Sequence, residues 1–134
     1  MRGTPYKHII ISRTDSIGDV VLTLPLAGLL KKVFPDCRIT FLGRTYTRPI
    51  AGLSTHIDDF LNWDDFEGLD FSQQIDGFTK LQANLIIHVF PVWRISCVAR
   101  KAGIPGRLGT TNRLYHWLNC NKLVAMSRRR SDLH

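Results

Sequence analysis

Cysteine is scarce in this sequence. Cys37, Cys97 and Cys120 are an odd number, widely spaced, and form no CxxC pair. That argues against a disulfide framework or a zinc site and fits a reducing, cytoplasmic setting. Long apolar runs are also missing: residues 20–30 are too few to span a bilayer and are interrupted by Pro25. The opening stretch MRGTPYKHIIIS is basic but offers only three isoleucines, which is not the apolar stretch of a secretion signal. There is no low-complexity tract and no internal repeat. The loop TDSIGD has a single glycine, so it is not GxGxxG, and it lacks the GK[ST] of a P-loop. Dinucleotide or triphosphate binding by that loop is therefore not expected.

What is present is one domain's worth of chain, residues 1–134, long enough to bury its own core. The net charge is +7, and its placement says more than its size. Seven of the eleven acids fall between Asp58 and Asp76, whereas from Arg94 onward nine Lys or Arg residues face one acid, Asp132. A basic half suits either a solvated surface or an anionic partner such as phosphate, lipid headgroup or nucleic acid. The run SRRRS at 127–131 fits a solvated tail. Basic and aromatic residues are not interleaved as RNA binding would need, so no nucleic-acid partner is expected.

Residues 7–13 (KHIIISR) predict a buried strand and residues 18–34 a helix. In that helix Leu22, Leu26, Leu29 and Val33 share one face, while Val20, Leu24, Ala27 and Phe34 share an adjoining one. So broad an apolar surface predicts packing against both a sheet and a neighbour. Pro25 leaves the carbonyl of Val21 without a donor and predicts a kink. Residues 37–43 (CRITFLG) predict a second strand, 47–53 a short helix and 57–63 a third strand. Residues 71–82 suit a surface helix or a loop. Residues 84–90 (NLIIHVF) predict a strand, 92–102 a helix, and 107–109 and 122–126 short strands. Strands alternating with helices at these spacings predict a Rossmann-like α/β/α sandwich with a mainly parallel sheet.

Ligands of such sheets sit at the carboxyl ends of the strands. The loops at 14–18, 43–46 and 90–94 are therefore the rim, carrying Arg13, Asp15, Asp19, Arg44 and Arg94. Gly18 lets a backbone approach closely, and the helix behind it favours negative charge. Asp19 in that first turn is open to two readings, a helix cap or dipole partner, or a general base. A metal needs more ligands than Asp15 and Asp19, and none is expected. His88, inside an apolar strand, suits a satisfied core histidine, and His8, His56 and His116 lack ligand spacing. Trp93, Tyr115 and Trp117 suit packing.

One longer pattern is more specific: Arg13-x-Asp15-Ser16-Ile17-Gly18-Asp19-Val20-Val21-Leu22-Thr23-Leu24-Pro25-Leu26, then Phe34-Pro35-Asp36 and Ile39-Thr40-Phe41-Leu42. It resembles the opening of the bacterial ADP-heptose:lipopolysaccharide heptosyltransferases, inverting GT-B glycosyltransferases. Residues 84–87 and the run Ala102-Gly103-Ile104-Pro105-Gly106-Arg107-Leu108-Gly109 resemble that family's second segment. The likeness covers roughly residues 7–109. It implies the acceptor-binding N-terminal half of a two-domain enzyme, with the ADP-heptose donor held by a C-terminal domain not contained in residues 1–134. It further implies that Asp19 is the general base, that Ser16, Ile17 and Gly18 shape the acceptor loop, and that no cofactor is needed. An acceptor of the lipid A–Kdo type carries carboxylates and phosphates. Arg13, Arg44, Arg94, Arg107 and Arg113 are the candidates to hold them. Enzymes of this kind work at the inner face of the inner membrane, so an anionic membrane surface is a further expected partner. The chain alone would then not transfer a sugar. The competing readings are a non-catalytic α/β binding module and, less strongly, a basic nucleic-acid-binding domain.

Overall fold

Three consecutive isoleucines, Ile9, Ile10 and Ile11, have no solvent exposure at all. A strand turns alternate residues to opposite faces, so burying all three requires layers on both sides. The computed structural model, which describes residues 6–90 and 92–108, shows how this is done. The strands are β1 (His8–Ser12), β2 (Arg38–Gly43), β3 (Asp59–Asn62), β4 (Leu85–His88) and β5 (Gly106–Leu108). They form one sheet in the order β3-β2-β1-β4-β5, with every pairing parallel. Between them run helices α1 (Ile17–Val33), α2 (Arg48–Ala51), α3 (Trp63–Glu67), α4 (Phe71–Leu81) and α5 (Trp93–Lys101).

Two separate cores result. On one face Ile9, Ile11, Ile39, Phe41 and Ile87 pack with Val20, Ala27 and Leu30 of α1 and Ala51 of α2. On the other, Ile10, Leu42 and Ile86 pack with Trp63 of α3, Phe78 of α4, and Ile95, Val98 and Ala99 of α5. This is the Rossmann-like three-layer sandwich that the alternating pattern predicts. The amino ends of the central strands are tied by Asn84, whose Oδ1 accepts from the backbone N–H groups of Lys7 at 2.7 Å and His8 at 2.9 Å.

Two expectations change, on the sheet-facing side of α1 and at Trp63. Helix α1 runs from Ile17 to Val33 through Pro25 as one element. Pro25 and Val21 lie on its exposed side, where a carbonyl without a donor can turn to water. The face of α1 against the sheet is the Val20–Ala27 face. Leu22 and Leu29 are 76% and 41% exposed, with no neighbouring element over Leu22 among the described residues. Trp63 begins a helix and does not end a strand: Asn62 caps α3 by accepting from the N–H of Asp64. The segment left between helix and loop is α4, started by a reciprocal box in which Asp70 accepts from the Gln73 N–H and Gln73 from that of Asp70. Residues 122–126, expected as a strand, lie outside the described residues.

Candidate functional site

The strand order reverses between β1 and β4, since β2 lies on one side of β1 and β4 on the other. Chains leave the carboxyl ends of these two strands toward opposite faces, which opens a crevice there. The loop after β1 is fixed to both neighbours. Arg13 N–H donates to Leu42 O at 3.0 Å, and Val89 and Phe90 N–H groups donate to Ser12 O at 3.0 and 3.2 Å.

At the mouth of this crevice α1 begins. Ser16 is its N-cap, its Oγ accepting from the Asp19 N–H at 3.3 Å and donating to Asp19 Oδ2 at 2.7 Å. Of the two readings left open for Asp19, the cap is thus carried by Ser16, and Asp19 is its reciprocal partner in the first turn. Arg13 is only 16% exposed and bridges two carboxylates, with Nε 3.0 Å from Asp15 Oδ1 and one terminal nitrogen 3.3 Å from Asp19 Oδ1. The carboxyls of Asp15 and Asp19 share the Arg13 guanidinium and titrate apart. Burial pushes Asp15 up, against the pull of Arg13. The hydrogen bond from Ser16 leads in holding Asp19 down, helped by Asp15 and Arg13. Asp19 is therefore ionised at neutral pH, as a group must be before it can take a proton.

The loop after β2 locks onto this one. Tyr46 Oη donates to Asp15 O at 2.6 Å, and Arg44 Nε donates to Thr14 O at 3.4 Å. The Arg44 guanidinium also binds Asp64 at 2.7 Å and Glu67 at 2.8 Å, which raises its own pKa. Asp64, accepting from the Thr45 N–H and from Arg44, is held down at about 2. Arg44 is thus a tie between the rim and acidic α3.

The structure brings Arg13, Ser16, Gly18 and Asp19 into one cluster and joins Arg44 to it through Thr14. Arg94 and Arg107 make their contacts elsewhere. Arg94 Nε donates to Gln74 Oε1 at 2.7 Å, and its guanidinium lies 4.8 Å from the centre of the Phe71 ring. Arg107 donates to Ile104 O at 2.9 Å. Arg113 lies outside the described residues, as do Tyr115, His116, Trp117 and Cys120. A Cβ built on Gly18 would meet no atom within 4 Å, so the fold itself does not demand glycine there.

Two further expectations are corrected. His88 is buried, but its Nδ1 has no hydrogen-bond partner among the described residues, so it is not a satisfied core histidine. Trp93 is 80% exposed rather than packed. Sequence reasoning missed Tyr46, which carries no motif. It also missed the face of α5 formed by Trp93, Ser96, Cys97 and Arg100, although their helical spacing was available. No described helix is long and apolar enough to cross a membrane.

No family model and no curated protein matches this sequence. Solved structures do. A family 9 glycosyltransferase from Veillonella parvula superposes with a TM-score of 0.65 at 20% identity, over 82% of this chain and 34% of that one. The E. coli ADP-heptose LPS heptosyltransferase II superposes with 0.61 at 18% identity, over 77% of this chain and 30% of that one. E. coli heptosyltransferase WaaC, solved with ADP, gives 0.53 at 16% identity over 76% and 34%. This chain therefore spans about a third of the length of each. Its fold is the Rossmann-like α/β unit that these glycosyltransferases contain.

Proposed function

We propose that this chain is the acceptor-binding domain of an ADP-heptose-dependent glycosyltransferase that acts on the lipopolysaccharide inner core. The observation that carries the reading is Asp19, an ionised carboxylate at the mouth of the β1–β4 crevice, held by Ser16 and Arg13. The likeness of fold to the heptosyltransferases supports it. In this reading an acceptor hydroxyl gives its proton to Asp19 while its oxygen bonds to the anomeric carbon of the donor sugar. The bond from that carbon to the departing ADP oxygen breaks, and the configuration inverts. ADP-heptose would be held by a second domain, and this chain alone would bind acceptor without transferring sugar to it. Arg13, Arg44, Arg94, Arg107 and Arg113 remain the candidates for the acceptor's carboxylates and phosphates, with Arg13 nearest to Asp19.

In a protein that joins this chain to its donor-binding domain, Asp19→Asn is expected to reduce transfer by about 100-fold or more. The circular dichroism spectrum should stay unchanged. Undiminished transfer would remove Asp19 from the mechanism. A second reading is favoured by the same contacts, because Ser16 and Asp19 form a reciprocal cap whether or not chemistry follows. A purely structural Asp19 predicts lower stability in the Asn variant with transfer preserved.

A further inference from the structure

A cavity of about 320 Å³ opens on the α5 face of the sheet, between the carboxyl end of β4, β5 and α5. Two of the residues lining it, Arg100 and Arg107, are cationic and none is acidic. Such a pair, with no acidic residue beside it among the described lining residues, favours a dianion over a monoanion, and guanidinium forks match the geometry of phosphate oxygens.

The wall of the cavity holds an independent sign of a ligand. His88 is 5% exposed and lines the cavity, and its Nδ1 has no hydrogen-bond partner among the described residues. The Nδ1 atom is itself shielded from solvent, so a ligand in the cavity completes it only with a small turn of the ring, and the cost of leaving a buried polar atom unpaired favours that turn. Burial, seconded by the charge of Arg107, keeps the imidazole neutral, with its pKa lowered to about 4. A neutral ring can offer one N–H without adding to the charge of the site. Trp93 supplies the remaining element. It lines the same cavity yet is 80% exposed, so its indole is available to cover a flat or ring-shaped group.

We propose that this cavity is a site for a phosphate ester of a small ring compound, in which Arg100 and Arg107 hold the phosphoryl group, His88 donates through its unpaired nitrogen and Trp93 covers the ring. The assignment shares Arg107 with the acceptor candidates but does not rest on Asp19 or on sugar transfer, so either proposal can fail while the other stands. Sugar phosphates and nucleoside monophosphates share the required chemistry. The test titrates the 134-residue chain with glucose 6-phosphate, AMP and inorganic phosphate at constant ionic strength. Calorimetry and the ring resonances of His88, assigned with His88→Gln, report binding. Saturable binding of at least one ester, with a shift of the His88 ring, is expected. Arg100→Gln should weaken that binding about tenfold or more. Arg100 is exposed on α5, so this variant keeps the fold. The relative affinities of glucose 6-phosphate and AMP identify the ring. Inorganic phosphate binding as tightly as both esters, binding unchanged in Arg100→Gln, or a His88 ring that does not respond would each overturn the proposal.

Discussion

A histidine whose pKa is depressed in the folded chain makes stability depend on pH in a definite direction. His88 is neutral in the fold down to about pH 4, whereas an unfolded histidine gains its proton near pH 6.5. Its contribution is therefore complete above pH 6.5 and is lost as the pH falls from there through 4. Between pH 7 and 4.5 the loss should amount to about 2 kcal/mol. Urea unfolding at both values, compared with His88→Gln, isolates it: the variant should lose less stability on acidification. An identical loss in both proteins would assign the effect to other groups. The sequence placed His88 on a buried strand but gave no sign that its ring lacks a partner. That depends on residues up to 20 positions away, on α5 and β5, and no local pattern encodes it.

Among the helices, two glycines of similar sequence context have opposite surroundings. Gly18 in α1 faces open space, whereas a Cβ on Gly77 in α4 would lie 2.6 Å from Phe66 Cε2. Phe66 is itself stacked on Trp63, with ring centres 5.8 Å apart, and meets Phe78 edge-on. Gly18→Ala should thus stabilise the chain by about 0.5–1 kcal/mol through helix propensity. Gly77→Ala should destabilise it by about 1–3 kcal/mol, because the Phe66 ring must move within a packed cluster. Thermal melts of the two variants should shift in opposite directions. The pattern of elements was largely legible in the sequence, and the reasons differ from one to the next. β1, β2 and β4 announce themselves as apolar runs because both faces are covered. α4 needed its Asp70–Gln73 box to be read. α3 is five residues long and follows its strand directly, so no periodicity could develop and its Asn62 cap was the only cue. In α1, apolar residues surround the helix, and sequence alone could not tell the sheet-facing side from the side that carries Leu22.

At the scale of the whole molecule, the sheet is joined at its centre by strands distant in sequence. The clasp at the bottom of that junction is the Asn84 side chain, which receives both Lys7 and His8. Asn84→Ala would leave the half-buried His8 N–H with one partner fewer, at a cost of about 1–2 kcal/mol. Amide exchange should then quicken at His8 and Ile9 before it does in β2. Uniform acceleration across all strands would mean that Asn84 acts on global stability only. Rim residues were legible as a set because the parallel α/β rule places every site at strand carboxyl ends. Their pairings were not, since Arg44 meets Thr14 across 30 positions and Asp64 across 20.

The central pairing also constrains how the chain comes into being. β1 finds β2 soon after leaving the ribosome, but its other edge belongs to β4, whose approach begins at Asn84, 76 positions beyond His8. At ordinary rates of synthesis that interval lasts roughly 4–15 seconds. Throughout it, an isoleucine strand stands with one side unpaired and one of its two cores unbuilt. A nascent chain of this design depends on folding assistance or on slow, late closure. Substitutions that delay β4 would be felt first as loss of yield, before any loss of stability in the finished molecule.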